Sequence, residues 1–238
     1  MSGSSIRLFV AGDLVAGAAV PGSEAQAHYL ANVMRRSVGD AVILFNGRDG
    51  EWAARIVSVS RKAVMFEVGV LLRGQAAEPD CWLCFALLKR TKTDMVVEKA
   101  TELGVSRILP VLTARTQADH VNLERLRAIA VEAAEQCERL AVPEIVSPVT
   151  LPALLTGWPA GRRLFMADER RTAKVARFSS GPASLLVGPE GGFTEAEVAA
   201  IRANQHVTIV SLGARILRAE TAAIAGLALL LASDPPEE

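Results

Sequence analysis

Near residue 80 the apolar pattern of this chain changes period, and that change restricts the possible folds more than any other feature. Up to residue 72 the apolar residues fall in short β-rich runs, "IRLFVAG", "AVILFN", "EWAARIVSVS" and "KAVMFEVGV", joined by turn residues such as "NGRDG". One helix is expected among them, in "SEAQAHYLANVMRR", where Ser23 and Gln26 have capping-box spacing. The pattern predicts a small β-barrel domain over residues 1–72 and a polar linker over 73–80. From residue 81 to 238, strands alternate with helices. "CWLCFALL", "VSRILPVL", "RRLFMAD", "ASLLVG" and "HVTIVSLG" read as strands, while "TKTDMVVEKATELG", closed by Gly104, and "NLERLRAIAVEAAEQCERL" read as helices. Such alternation predicts an α/β domain with a mostly parallel sheet.

Composition narrows the function classes. The 26 cations balance 26 acids, so no overall basic field marks a nucleic-acid partner. Of those cations 21 are Arg and five are Lys, a bias that suits phosphate and base stacking but that a GC-rich genome also produces. The start lacks the basic and apolar regions of a signal peptide, and the apolar tract from Ala222 is short of the roughly 18 residues a membrane span needs. A soluble cytoplasmic protein is expected. Cys81, Cys84 and Cys137 are too few for a disulfide framework, and "CWLC" sits in a strand as two buried thiols. His28, His120 and His206 are far apart in sequence, so no metal site is expected.

Two loops carry the chemistry. In "LLVGPEGGFTEAEV" an apolar strand stops at Gly188, and Thr194 with Glu197 starts a helix by a second capping box. Parallel α/β sheets gather ligands at the carboxyl ends of their strands, and Gly188, Gly191 and Gly192 let backbone come close to one. The loop lacks the GK[ST] of a P-loop and does not match GxGxxG. Glu190 would repel phosphate, which favours a neutral or cationic ligand such as S-adenosylmethionine. A second strand ends at Gly213 in "VTIVSLG", and "ARILRAETAAIAGLALLLAS" follows. Residues 212 to 217 are expected as loop, and the helix from about Arg218 is apolar on nearly every face, so core or a second subunit must cover it.

"LLVGPEGGFTEAEV" and "SLGARILRAETAAIAGL" together resemble the signature loops of the RsmE family within the SPOUT methyltransferases. "KATELGV", "EAAEQCER" and "VGDAVILFNGRDGEW" are similar to that family as well, so the resemblance covers nearly the whole chain. It implies S-adenosylmethionine-dependent methylation of N3 of one uridine in the decoding-region helix of 16S rRNA, on the assembled small ribosomal subunit. It also implies a PUA-like β-barrel for RNA, a SPOUT domain tied into a deep trefoil knot, and a homodimer through the knotted domain. Leu88, Arg90, Ala114 and Glu138 depart from the family pattern, mostly on the side expected to face RNA.

On this reading Gly188, Glu190, Gly191, Gly192, Leu212, Gly213, Ile216, Leu217 and Ala222 form the cofactor pocket, with Thr221 at its entrance. Arg218 is the candidate to hold uracil or its phosphate, and Glu220 a weaker candidate for general base. RNA contacts are expected from Arg7, Arg35, Arg36 and Arg48 in the small domain and from Lys89, Arg90, Arg115 and Arg139 in the larger. Two alternatives stay open: a non-catalytic RNA-binding protein that uses the barrel alone, and a SPOUT enzyme with another RNA target.

Overall fold

The computed structural model describes residues 6–116, 121–168 and 181–232; His120 and the tail "SDPPEE", read above as frayed, lie outside them. The chain forms two compact units, Met1–Ala77 with Ala134–Val142, and Glu78–Ala133 with Pro143–Glu238.

The first unit holds β1 (Arg7–Phe9), β2 (Ala19–Pro21), α1 (Glu24–His28), which runs on into a π-helical turn at Tyr29–Val33, β3 (Ala41–Phe45), β4 (Glu51–Val59) and β5 (Val64–Arg73). Its sheet runs β1-β3-β4-β5-β2, and only β1 and β3 pair in parallel. Leu8, Val10, Leu44, Ile56 and Phe66 point into one core, and irregular register between β4 and β5 bends the sheet around it. The capping box of Ser23 and Gln26 forms as its spacing predicts. β2 is too short to show a period in sequence, and β5 carries Arg73 into the stretch expected as linker.

Residues 134–142 join this unit through two arginines. Arg7 is buried, with Nε 2.5 Å from Glu51 and its two terminal nitrogens donating to the carbonyls of Ala134 (2.7 Å) and Arg139 (2.6 Å). Its guanidinium also lies 3.7 Å from the centre of the Phe45 ring. Arg73 donates to Glu51 at 3.1 Å and to the Glu138 carbonyl at 2.5 Å. The expectation that Arg7 faces RNA is therefore corrected: its donors are consumed inside the unit, and it clamps a segment that is remote in sequence. Glu138 sits at φ 61°, the left-handed region. Glycine adopts that conformation without the Cβ clash that a side chain suffers there, so Glu138 holds a strained backbone.

The second unit is an α/β layer structure built from β6 (Cys81–Ala86), α2 (Arg90–Leu103), β7 (Arg107–Leu112), α3 (Leu123–Gln136), whose last turn belongs to the first unit, and β8 (Glu144–Ile145). It continues with β9 (Val149–Thr150), α4 (Leu151–Thr156), β10 (Arg163–Ala167), β11 (Ala183–Val187), α5 (Glu195–Ala203), β12 (Val207–Val210) and α6 (Ala219–Leu231). The sheet order is β12-β10-β11-β6-β7-β8, β9 also lies beside β7, and every pairing is parallel. A parallel sheet is covered on both faces, so Cys81 and Cys84 are both buried although they point to opposite sides of β6. Burial pushes the Cys81 thiol up to about 12 and raises Cys84 likewise, which suits core side chains and not reactive thiols. α2 ends at Gly104, in the left-handed conformation at φ 99°. α6 packs against α2, β11 and β6, and Gly226 lets it come within reach of Leu185.

Candidate functional site

Strands β10, β11 and β12 end side by side, and their carboxyl ends open on a cavity of about 490 Å³ in the second unit. This is where open parallel sheets place ligands, and the volume lies within the range of small-molecule pockets. Two loops build its walls, one between β11 and α5 and one between β12 and α6.

The first loop is held at both ends. A Cβ on Gly188 would lie 2.8 Å from the Phe193 ring, which turns back into the core at 6% exposure, so the strand can leave the sheet there only as glycine. Gly192 takes φ 68° and donates its N–H to the Pro189 carbonyl at 2.8 Å. Thr194 and Glu197 form the expected capping box, and the second Glu197 oxygen accepts the Ala114 N–H at 2.7 Å. Arg115 donates to the Gly191 carbonyl at 2.6 Å. Arg115, expected among the RNA contacts, thus braces the glycine loop, while Ala114 works through its backbone, where no particular side chain is needed.

The second loop turns at Ser211, whose hydroxyl accepts the Gly213 N–H at 3.3 Å and donates to the Gly213 carbonyl at 3.2 Å. Gly213 sits at φ 124°, conformational space that side chains avoid. The loop ends at Arg218, the N-cap of α6, so the helix starts where the sequence predicts. Ile216 is 69% exposed although it borders the cavity.

Gly188, Glu190, Gly192, Leu212, Gly213, Ile216, Leu217, Arg218 and Ala222 all line the cavity, as do Met166, Ala167 and Asp168 from the end of β10. Gly191 and Thr221 are exposed and do not line it. The sequence reading missed Lys92, Arg202 and Arg215, three more cations on the lining. Arg215 lies in the second loop and was within reach of that reading. Lys92 comes from the first turn of α2, and nothing in its local pattern points to the cavity.

Lys92 changes the meaning of Glu190. Its ammonium forms an ion pair with the Glu190 carboxylate and lies 3.3 Å from Glu220 Oε1. The Lys92 hydrogen bond is the main reason the Glu190 carboxyl is held below the usual range, with Lys89 and Arg218 adding to it, and Glu190 in turn raises Lys92. Glu190 therefore has a cation inside the protein. Glu220 is 9% exposed and lies off the cavity wall. Among the described residues its buried Oε2 has no hydrogen-bond partner. The expectation of Glu220 as general base is corrected accordingly: a carboxylate shielded from the cavity and tied to Lys92 is not placed to take a proton from a substrate.

The other expected RNA residues spread over both units. In the first, Arg35 is exposed, Arg36 lies 4.0 Å from Asp40, Arg48 pairs with Asp13 at 2.8 Å, and Arg139 is half-buried. In the second, Lys89 and Arg90 are exposed where α2 begins, while Leu88 is core. Among the described residues no group of His, Cys, Asp or Glu could hold a metal ion, and no helix is long and apolar enough to cross a membrane.

Comparison with known proteins agrees with this geometry. Residues 76–231 match the RNA methyltransferase domain family and residues 23–68 the RNA methyltransferase PUA domain. The chain is 34% identical to ribosomal RNA small subunit methyltransferase E of Rickettsia conorii over 87% of its length and 86% of that protein. It is 31% identical to the Bacillus subtilis protein of the same name, over 86% of each. Among solved structures, ribosomal RNA small subunit methyltransferase E from Neisseria gonorrhoeae, bound to S-adenosyl methionine, superposes with a TM-score of 0.84 at 27% identity, covering 94% of this chain and 95% of that one. A Legionella pneumophila protein in complex with bound SAM gives 0.87 at 30% identity, covering 96% and 97%. With its two matched domains and its full-length relatives, the chain belongs to the ribosomal RNA small subunit methyltransferase E family.

Proposed function

We propose that this chain transfers a methyl group from S-adenosylmethionine to N3 of a single uridine, uridine 1498 in the family, in 16S rRNA of the small ribosomal subunit in the cytoplasm. The observation that carries the proposal is the cavity where β10, β11 and β12 end, walled by two glycine loops in a chain of this family. Its residues fit the cofactor. Phe193, Val187, Ile209 and Leu212 offer apolar surface for a flat ring, and the loops offer backbone groups for its polar edges. Gly188, Gly192, Leu212, Gly213, Ile216, Leu217 and Ala222 would hold it, and Glu190 lines the cavity beside them.

When bound, S-adenosylmethionine supplies an electrophilic methyl carbon, its sulfur keeping the electron pair of the broken bond. The remaining demands fall on the protein. Uracil N3 is a weakly acidic imide whose lone pair is available once its proton passes to solvent water, and the negative charge then spreads onto the ring oxygens. Arg218, exposed at the start of α6 and bordering the cavity, is placed to hold the uracil and to stabilise that charge. Arg202 and Arg215 border the same cavity and offer charge to the RNA backbone. The uridine must leave its stack to reach them.

The RNA grip would come from Arg35, Arg36, Arg48, Lys89, Arg90 and Arg139 acting as a set, and binding should weaken steeply with salt. A homodimer through the knotted domain is part of the proposal. Leu229 of α6 and Met95 of α2 are each 45% exposed, on helices that pack together. The knot is supported by the path of the chain: α6 follows the edge strand β12 yet packs on β11 and β6 near the middle of the sheet. Methyl transfer to small subunits from cells lacking the gene, followed by mapping of the modified nucleotide, tests the function. Arg218→Ala should abolish transfer while cofactor binding holds. A near-wild-type rate in that variant removes Arg218 from the mechanism.

A further inference from the structure

Lys92 joins three parts of the chain at one ammonium. It stands in the first turn of α2, pairs with Glu190 of the glycine loop, and lies 3.3 Å from Glu220 in the first turn of α6. Both partners are remote in sequence, and Lys92 itself borders the cavity. The side chain of Lys92 is 26% exposed and that of Glu220 12%, so the contacts are partly shielded from water and outlast an ordinary surface pair. Without Lys92, Glu220 would be a buried carboxylate with neither oxygen partnered among the described residues, where Oε2 already has no donor. The two carboxylates engage two of the three N–H donors of the ammonium.

We infer that Lys92 is a positioning residue for cofactor binding: its ammonium ties the glycine loop and the first turn of α6 into one wall, and Glu190 serves the cofactor through that tie and not by direct contact. This rests on the assignment of the cavity to S-adenosylmethionine. The charge on sulfur separates the tie from a contact with the sulfonium, and the double variant separates it from a contact with the amino group or ribose, which both compounds carry. S-adenosylmethionine carries a sulfonium cation, while S-adenosylhomocysteine is the same molecule without the methyl group and with a neutral sulfur. A carboxylate acting directly on the sulfonium discriminates between the two. A carboxylate that only holds the loop affects both equally.

The test uses the full chain and calorimetric titration with both compounds, on Lys92→Met, Lys92→Arg, Glu190→Gln and the double variant Lys92→Met with Glu190→Gln. Lys92→Met should weaken both compounds by the same factor, about tenfold. Lys92→Arg should recover most of that loss. Glu190→Gln should also weaken both compounds equally, and the double variant should bind no worse than Lys92→Met alone. Hydrogen exchange on the cofactor-free protein supplies a second readout. Lys92→Met should speed exchange in both the 188–193 loop and the first turn of α6, whereas Glu190→Gln should speed it in the loop alone. The inference is overturned if Glu190→Gln weakens S-adenosylmethionine tenfold more than S-adenosylhomocysteine, if the losses multiply in the double variant, or if Lys92→Met binds and exchanges like the wild type. A wild-type chain that binds neither compound would instead overturn the cofactor assignment itself.

Discussion

Replacing Gly226 with alanine sets two well-measured effects against each other inside α6. Alanine favours a helix over glycine by about 1 kcal/mol, so propensity alone predicts a more stable protein. The structure predicts the opposite. A Cβ at position 226 would lie 2.6 Å from one methyl carbon of Leu185, 3.2 Å from the other and 3.4 Å from a methyl of Leu212. Carbon atoms settle at roughly 3.5–4.0 Å, so helix and strand must separate by about 1 Å. Leu185 has no exposed surface, and its strand β11 lies between β10 and β6, so it has little room to turn away. Overpacking of this kind costs about 1–3 kcal/mol, and after the propensity gain the net loss is about 1 kcal/mol. For a protein of this size that lowers the melting temperature by about 2–4 °C. Differential scanning calorimetry with and without S-adenosylmethionine measures it. Leu212 lines the cavity, so cofactor affinity should fall severalfold in the same variant. A melting temperature at or above wild type would show that α6 is free to back away from the sheet and would refute the close-packing argument.

Other expectations follow from particular contacts. Arg7→Ala removes one partner of a buried ion pair along with two bonds to backbone carbonyls, and should destabilise the first unit by about 3–5 kcal/mol in urea unfolding; a loss under about 1 kcal/mol contradicts that role. Burial raises the Glu51 carboxyl, but hydrogen bonds from Arg7 and Arg73 outweigh it and leave the group below its ordinary value of 4.5. Because the folded value is depressed, this contribution to stability is present above about pH 4.5 and is lost as pH falls further, and Glu51→Gln should flatten that acid limb. Under native conditions an alkylating agent should modify Cys137 and spare Cys81 and Cys84, and all three should react in urea; mass spectrometry counts the adducts. Arg115→Ala releases the Gly191 carbonyl from a charge-assisted hydrogen bond and should weaken cofactor binding about tenfold in a calorimetric titration, without changing the salt dependence of RNA binding.

Much of the fold was legible because its signals are local. The capping pairs Ser23 with Gln26 and Thr194 with Glu197, and the left-handed cap at Gly104, each join residues at most a turn apart, so spacing alone reveals them. The longer strands of the second unit were legible as unbroken apolar runs, because a parallel sheet buries both faces. The short strands β2, β8 and β9 were not, since two or three residues cannot display a period. The glycine loops were legible as breaks between strand and helix, and most of the cavity lining follows from them.

By itself, then, the sequence determined the longer elements, most of their ends and the two loops, because these depend on the preferences of residues a few positions apart. Tertiary structure alone decided which charged groups meet. Lys92 reaches Glu190 across 98 residues and Arg7 reaches the Arg139 carbonyl across 132. The same structure withdraws Arg7 from the surface, shields Glu220 from the cavity and gives Glu190 a cation of its own. A long charged side chain can satisfy its charge in water, on a neighbouring turn or against a distant loop with similar energy. Only the packed backbone selects among these, so no local pattern records the choice.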